Sequence, residues 1–407
     1  MEVTTQQLDT KELDMRARAL LRKVLAQGEV IGHRMRREAL LKAVDVLAMG
    51  AHLSLTCLGR ALTGQAMEKH RIKSIDELLS NRHLHAERLG IYRELSQRVL
   101  CGVSRVLVQV DWSDTGRHDV RVLRAAVGLP GRSFVLWEQV YTERQYNKDS
   151  THRAFMHELR QVMPSWCKEV LVVTDAGFRA PWFRLVDSFG WRWLGRVRNS
   201  SKVQCAGQST WTPVRKLYAL ATGHAQTLGD VLLNVGRPLP VQMFLSPAPT
   251  KPKRHGSRRN AEGYRMAKSS REPWLLATSP GWPCTAQQAV ALYDTRMQIE
   301  QGFRDLKSHR FAYGLRYSNS TKPARVATLL LIAALATFAQ WLAGLVAEAQ
   351  DWSRTFQANT VRKRRTLSVV YIGGRMLRTQ RYKLTDALLR QALRDLPALV
   401  IQPHAAA

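Results

Sequence analysis

The sequence predicts an α/β protein, with a mixed sheet carrying helices on its faces and helical regions on either side of it in the chain. Three observations support this class. Short apolar runs of strand character fall between about residues 104 and 200, helical patterns separate some of them, and helical periodicity dominates before 100 and after 285. The order of three strands, helix, strand, helix, strand indicates a mixed sheet rather than a parallel one.

The strands of this core are recognised by buried-type apolar runs. The first, VLVQVDW, follows Ser104 and ends at Asp111, and the fourth, VLVVTD, ends at Asp175. The other three runs are RVLRAAVGL from residue 121, FVLWEQVY from residue 134 and WRWLGRV from residue 191. Helical patterns cover residues 151–163 and the segment PWFRLVDSF, which Pro181 opens.

Residues 198–275 have a different texture, which predicts a β-rich insertion. The strand candidates WTPVRKLYAL, DVLLNV and VQMFL alternate with Gly and Pro turns, and EPWLLATS closes the segment with Trp274. The basic stretch KPKRHGSRRN at 251–260 is expected to be a mobile loop that contacts phosphate. Trp274 is either a core residue or a platform on which an extruded base stacks.

We therefore expect three regions. Residues 1–100 form a helical amino-terminal DNA-binding domain, 101–350 a catalytic domain that includes the insertion, and 351–407 a helical region for DNA contact or dimerisation. In the first region a helical pattern over 38–62 breaks near Gly50 and resumes after a Ser54 cap, and another covers 72–79. Helix, short turn and helix with basic surfaces suits a module that reads a DNA groove, although many small helical domains share this pattern.

Net charge points to the partner. Lys and Arg number 62 against 32 Asp and Glu, giving a charge of +30 spread along the whole chain. A protein with this much self-repulsion is expected to meet a polyanion, with nucleic acid first and an anionic membrane surface second. Arg362, Lys363, Arg364 and Arg365 form a dense positive cluster, which is either a DNA phosphate contact or a solvated charge run.

Compartment and membrane association can also be predicted. The five cysteines are scattered without a C-x-x-C pair, which favours a reducing compartment and no zinc site. The polar amino terminus does not have the pattern of a signal peptide. Residues 326–347 carry no charge and are long enough to span a bilayer, but their Ala, Thr and Gln content favours a buried core helix.

The segment TAQQAVALYDTRMQIEQGFRDLK, residues 285–307, predicts one uninterrupted helix with a capping box of Thr285 and Gln288. At about 100° per residue, Tyr293, Arg296, Glu300 and Lys307 fall within about 60° of one another. The stripe is either a solvated face with an Arg–Glu pair or a functional surface.

Two upstream carboxylates bear on this choice. Asp111 and Asp175 both end buried strands, where open α/β sheets place their sites, although each alone is also a common turn or cap residue. Together with Glu300 they form a set of three carboxylates that repel one another unless divalent metal compensates them, and hard oxygen ligands favour Mg²⁺ or Mn²⁺. Two such ions suit a phosphodiester displacement.

The spacing Y-(2)-R-(3)-E-(6)-K, formed by Tyr293, Arg296, Glu300 and Lys307, resembles the signature of the DDE transposases of insertion-sequence family four. Further strings are similar to this family: SNRHLH, VDWSD, VTDAGFRAPWF, EPWLLAT, RMQIEQGFRDLK and FQANTVR. The resemblance extends from about residue 45 to 365.

This resemblance implies a ribonuclease-H-like catalytic fold with a β insertion before the helix that bears the glutamate. Asp111, Asp175 and Glu300 would bind two Mg²⁺ ions, with Mn²⁺ as a substitute. Tyr293, Arg296 and Lys307 would contact phosphates at the transposon end, and Trp274 would stack on a flipped base while a hairpin forms. The same resemblance implies cut-and-paste transposition by a homodimer that binds terminal inverted repeats and target DNA. It also implies a location in the bacterial cytoplasm, at the nucleoid.

The alternative is a DNA-binding protein that has lost catalysis and represses its own ends. Intact motif residues favour the active enzyme, and no stable membrane association is expected.

Overall fold

The structure, a computed structural model, describes residues 21–22, 30–116, 119–198, 201–248, 272–309, 312–358, 360–361, 364–379 and 382–403. The predicted basic loop at 251–260 lies outside these residues. The chain divides into two compact units. The first comprises Met1–Ser104, Asp111–Lys168 and Gln298–Ile401, and the second comprises Arg105–Val110, Glu169–Met297 and Gln402–Ala407.

The helices of the described segments are numbered in chain order. They are α1 Arg34–Ala48, α2 Leu55–Ala61, α3 Glu68–Leu79, α4 Arg82–Val99, α5 Asp149–Val162, α6 Ala180–Ser188, α7 Val214–Leu217, α8 Ala286–Asp294, α9 Met297–Lys307, α10 Pro323–Ala349, α11 Val369–Arg378 and α12 Asp386–Asp395.

The strands follow the same convention. They are β1 Arg105–Asp114, β2 Val120–Leu129, β3 Arg132–Thr142, β4 Glu169–Thr174, β5 Arg192–Arg196, β6 Lys202–Cys205, β7 Thr212–Pro213, β8 Gln226–Leu233, β9 Leu239–Ser246 and β10 Trp274–Thr278.

In the first unit, the end of β1 is followed by the antiparallel hairpin β2–β3, in the sheet order β3-β2-β1. Helices α4, α5 and α10 pack on β3. The predicted break near Gly50 and the Ser54 cap are confirmed, because α1 ends at Ala48 and the Ser54 hydroxyl accepts from the Cys57 N–H. Helical regions thus precede and follow the strands, as the sequence predicts.

Helix α10 is the centre of the first unit, and its most apolar 18-residue window is 89% buried. Among the described helices it alone is long and apolar enough to cross a membrane, and in this fold the same apolar residues face protein. Helix α11 crosses it with backbones in contact, because a Cβ at Gly373 would overlap the carbonyl of Gln340. Glycine is therefore required at this crossing.

In the second unit the sheet order is β1-β4-β5-β10-β9-β8-β6-β7. Strands β1, β4 and β5 run parallel, and β10 pairs antiparallel with β5. Helix α8 covers one face through Ala286, Ala289 and Leu292, which join a buried cluster with strand residues such as Leu171. The mixed sheet with its helices confirms the predicted α/β class and is consistent with a ribonuclease-H-like fold.

Three expectations differ from the structure. Strand β1 continues through Asp111 to Asp114 instead of ending at Asp111. The predicted strand WTPVRKLYAL is wrong, because only Thr212–Pro213 is extended and α7 and a 3₁₀ turn follow. Its buried residues Val214 and Leu217 are three apart, which is helical spacing. The predicted continuous helix over 285–307 is also wrong, since α8 ends at Asp294 and α9 begins at Met297.

Candidate active site

Helix α9 and the end of β1 bring two of the three predicted carboxylates together. Asp111 and Glu300 line one pocket of about 380 Å³ in the first unit, and both side chains are half-buried. The remaining lining residues are Trp112, Ser113, Phe303, Arg304, Lys307, Ser308 and Arg316. The pocket therefore combines two hard-oxygen ligands with basic side chains, a set that suits a metal ion and an anionic substrate.

Lys307 lies in this pocket and is already engaged. Its Nζ donates to Ser113 Oγ and to Asp114 Oδ2, each at 3.0 Å, and its side chain is 15% exposed. Burial opposes ionisation of Asp114, but the hydrogen bond and charge of Lys307, helped by the Gly116 N–H and Arg316, lower the pKa of the Asp114 carboxyl below its ordinary value. Asp114, the carboxylate that pairs with Lys307, was not identified from the sequence.

Helix α9 is held on the β2–β3 hairpin by polar and aromatic contacts. Arg132 Nε donates to Asp305 Oδ2 at 2.5 Å, and the guanidinium of Arg124 lies 4.3 Å from the Phe303 ring centre. Arg124 is itself buried and bonded to Glu138 at 2.6 Å. These contacts fix the orientation of the helix that carries Glu300 and Lys307.

Asp175 belongs to the second unit and follows β4 directly. Its Oδ1 accepts from the Gly177 N–H at 2.8 Å, and a Cβ at Gly177 would lie 2.9 Å from the same oxygen. Glycine at 177 is therefore needed for the observed position of the carboxylate. Thr174, which precedes Asp175, is the register partner of Val110, which precedes Asp111 in the chain.

Tyr293 and Trp274 form the aromatic part of the second unit's site. Tyr293 is 4% exposed and meets Trp274 edge to face, with ring centres 5.0 Å apart. The Arg296 guanidinium lies 5.7 Å from the Tyr293 ring centre. Burial raises the pKa of the Tyr293 hydroxyl, against the charges of Arg296 and Arg196, so the phenol stays protonated at neutral pH.

Arg196, at the end of β5, was not identified from the sequence. It lies beside Tyr293, and burial lowers the pKa of its guanidinium. Its Nε has no hydrogen-bond partner within the described chain. The available signal was positional, because Arg196 ends a parallel strand at the same sheet edge at which Asp175 follows β4.

The break between α8 and α9 coincides with side-chain hydrogen bonds to backbone carbonyls at the end of α8. The buried side chain of Gln109 donates from Nε2 to the Thr295 carbonyl at 2.7 Å, and Thr295 Oγ1 donates to the Leu292 carbonyl at 2.6 Å. Both carbonyls therefore accept hydrogen bonds from side chains, and one of these side chains, Gln109, lies on the distant strand β1. The predicted stripe is divided, with Tyr293 in α8, Arg296 in the turn, and Glu300 and Lys307 in α9.

The carboxyl-terminal basic cluster is described only in part. Arg362 and Lys363 lie outside the described residues, Arg364 is exposed, and Arg365 forms an ion pair with Glu348 at 3.2 Å. Among the residues that the structure describes, no group of three or more His, Cys, Asp or Glu side chains is close enough to hold a metal ion.

Comparison with known families gives the class of the protein. The family model of the transposase DDE domain matches residues 106–339, more than half of the chain, and spans β1, β4 and α9 with Asp111, Asp175 and Glu300. The chain therefore belongs to the DDE transposases. A search of curated proteins found no match to it.

Proposed function

We propose that this DDE transposase is a cut-and-paste enzyme of insertion-sequence family four and that it resembles the transposase of transposon Ten. The observation that carries the proposal is the pocket in which Asp111 and Glu300 meet Lys307. The Tyr293, Arg296, Glu300 and Lys307 spacing supports the family assignment. From that assignment we further propose that it binds terminal inverted repeats and target DNA and that it acts as a homodimer in the synaptic complex.

The carboxylates suit Mg²⁺, with Mn²⁺ as a substitute. The fit rests on the donor set, since Asp111 and Glu300 present hard oxygens to one pocket and Gly177 fixes the carboxylate of Asp175. Asp111, Asp175 and Glu300 would hold two ions. When bound, the ions supply Lewis-acid activation of the attacking and leaving oxygens of a phosphodiester.

The chain's own residues bind and orient the DNA. In the first reaction a water oxygen bonds to phosphorus at the transposon end, the bond to the 3′-oxygen breaks, and that oxygen takes a proton. The new 3′-hydroxyl then attacks a phosphorus of the opposite strand and displaces the 3′-oxygen of the flanking DNA, which closes a hairpin. Water attacks the hairpin phosphorus and displaces the 3′-oxygen of the transposon end. The regenerated 3′-hydroxyl finally attacks a phosphorus of the target DNA and displaces a target 3′-oxygen, and each displaced oxygen takes a proton. Lys307 in the first unit, and Arg296 and Arg196 in the second, would offset negative charge on phosphates of the transposon end.

Tyr293 and Trp274 have separate roles in this scheme. The protonated Tyr293 hydroxyl donates to a phosphate oxygen, consistent with its raised pKa. Trp274 is half-buried at the start of β10 and braced by Tyr293, an arrangement that suits stacking on an extruded base. Arg362, Lys363, Arg364 and Arg365 would add phosphate contacts.

Cleavage of the inverted repeats that flank the gene tests the proposal. With Mg²⁺ the wild type should nick the repeat end, and Asp111→Ala or Glu300→Ala should abolish nicking while repeat binding persists. Asp294→Asn, an exposed acid on α8, is the charge control and should cleave normally. Nicking that survives Asp111→Ala or Glu300→Ala contradicts the proposal.

The second candidate is a catalytically silent repressor. The chain's strongly positive charge supports end binding whether or not catalysis is retained. Firm binding of the repeats without nicking, in either Mg²⁺ or Mn²⁺, would favour it.

We further propose a cytoplasmic, nucleoid-associated protein without stable membrane association. The support is the burial of α10 and the chain's affinity for polyanions expected from its charge. Purified protein that sediments as a soluble species without detergent would agree with this proposal, and a requirement for detergent would contradict it.

A further inference from the structure

A second cavity of about 660 Å³ lies within the first unit, lined by residues of α1, α9, α10, α11 and the β2–β3 hairpin. A cavity of this size accommodates a ligand as large as a nucleotide. The roles assigned above to the carboxylates and the signature residues do not use it, apart from the lining residue Arg304, which it shares with the catalytic pocket.

The walls of this cavity carry excess positive charge. Five arginines line it: Arg124, Arg132, Arg304, Arg375 and Arg378. Two acids also line it, but Glu138 is bonded to Arg124 at 2.6 Å and Asp305 is bonded to Arg132 at 2.5 Å. The charges of α11 are therefore not compensated by the acids of the cavity, which favours an anionic ligand.

One face of α11 supplies both charge and an aromatic surface. Tyr371, Arg375 and Arg378 follow one another at positions i, i+4 and i+7, and all three are exposed and line the cavity. Within the described segments, the side chains of Arg375 and Arg378 form no ion pair or hydrogen bond. The Arg378 guanidinium lies against Gly50, where a Cβ would be 3.4 Å from Cζ.

The cavity also contains a buried polar atom. His52 lines it, and its Nδ1 has no hydrogen-bond partner in the part of the chain that the structure describes. A buried ring nitrogen in this state is costly unless a ligand or water satisfies it. The close crossing of α10 and α11 at Gly373 fixes the position of the arginine-bearing face.

Arg304 relates this cavity to the catalytic pocket. It is exposed on α9 and lines both the 660 Å³ cavity and the 380 Å³ pocket that contains Asp111 and Glu300. A polyanion with regularly repeated phosphates can therefore place its reacting phosphate in the catalytic pocket and a neighbouring nucleotide in the cavity.

We propose that the cavity lined by Tyr371, Arg375 and Arg378 binds a nucleotide of the DNA strand that continues from the catalytic pocket. The arginines contact its phosphate and Tyr371 stacks on its base. The exposed ring is what favours a nucleotide over an inorganic anion, because base stacking on an aromatic side chain does not depend on sequence. This inference rests on the proposed function for the identity of the strand.

The test compares the salt dependence of binding to the repeat DNA for two double variants with the same reduction of charge. Arg375→Gln/Arg378→Gln removes the α11 pair, and Arg390→Gln/Arg394→Gln removes two exposed arginines of α12 that do not line the cavity. The α11 variant should flatten the log–log slope by about 0.9 for each phosphate that is no longer neutralised, while the α12 variant keeps the wild-type slope. Unfolding temperatures establish that both variants fold.

Tyr371→Ala should weaken binding roughly tenfold without changing the slope, and Tyr371→Phe should restore affinity. Sodium pyrophosphate and a mononucleotide, each added alone, serve as probes for a small free anion. Equal salt slopes for the α11 and α12 variants would overturn the assignment to a DNA strand. A higher unfolding temperature in the presence of pyrophosphate or the mononucleotide, together with unchanged affinity of Tyr371→Ala for the repeat DNA, would also overturn it. Wild-type protein that binds but does not cleave refutes the proposed function separately, because the slope comparison needs no cleavage.

Discussion

Lys307 and Arg196 both lie where DNA phosphate is proposed to bind, yet the structure holds the two cations in different ways. Lys307, in the first unit, is ion-paired with Asp114 at 3.0 Å beside the Asp111 and Glu300 pocket. Arg196, in the second unit, lies in a desolvated site beside Tyr293, and burial works against its charge. Lys307 must therefore exchange one anion for another. Arg196 donates from Nη2 to the carbonyls of Glu272 and Pro273 at 3.5 Å, and an incoming phosphate would give it an anionic partner that offsets its burial.

Among substitutions outside the three proposed catalytic carboxylates, the largest effect is expected beside Asp175 in the second unit. Gly177→Ala places a Cβ 2.9 Å from Asp175 Oδ1 and so displaces that carboxylate. Cleavage of the repeat DNA should fall by about 100-fold, the usual order for a catalytic group displaced by about 1 Å, with little change in unfolding temperature. The control is Gly223→Ala, whose Cβ meets nothing within 4 Å. Normal cleavage by Gly177→Ala would remove Asp175 from the site.

An intermediate effect is expected at Arg196. Arg196→Met should reduce affinity for the repeat DNA about tenfold, because the substitution removes a hydrogen bond to a charged group. Its free energy of unfolding should stay constant or rise, since burial opposes the charge that the substitution removes. Filter binding and denaturant unfolding measure the two quantities, with the exposed Arg192→Met as the charge control. A large decrease in stability with unchanged affinity would make Arg196 a structural residue.

A weaker effect than either is expected at Asp114. Asp114→Asn releases Lys307 from its partner, so affinity for the repeat DNA should rise a few-fold while stability falls by less than about 1 kcal/mol. The folded-state pKa of Asp114 is lowered, so its stabilising contribution is present above the unfolded-state pKa and disappears as pH falls through the folded-state pKa. The stability difference between wild type and Asp114→Asn should vanish over that acidic range.

Asp119→Asn, an exposed acid that follows the same strand, is the control for Asp114→Asn. Equal gains in affinity for both variants would show a general effect of charge. Weaker binding by Asp114→Asn alone would show that the ion pair positions Lys307 for DNA instead of competing with it.

The sheet could be predicted because its strands have local signals. The apolar runs at β1 and β4 mark buried strands, and the capping box of Thr285 and Gln288 marks the start of α8, where both hydrogen bonds are present. The likeness of the motifs to a transposase family agrees with the family match over residues 106–339. These features depend on residues that are close in the chain.

The features that were missed depend on distant residues. The break after α8 requires Gln109, which is 186 positions from Thr295, so no helical pattern within 285–307 contains it. Arg196, Arg375 and Arg378 are three of 62 Lys and Arg residues, and only the fold shows that Arg196 lies beside Tyr293 and that Arg375 and Arg378 line a cavity. In WTPVRKLYAL the apolar residues Trp211, Val214 and Leu217 recur every three positions, which is helical spacing, and the burial of Val214 and Leu217 agrees with the helix found there.

Asp111, Asp175 and Glu300 are proposed to act on one pair of metal ions, and direct Mn²⁺ binding tests this most closely. Electron paramagnetic resonance titration of the full chain, bound to repeat DNA that cannot be cleaved, would compare wild type with Asp111→Asn, Asp175→Asn, Glu300→Gln and the control Asp294→Asn. We expect Mn²⁺ binding to be at least about tenfold weaker in all three carboxylate variants and unchanged in the control. Wild-type Mn²⁺ binding by Asp175→Asn, with binding abolished in the other two, would contradict a site shared by the three carboxylates.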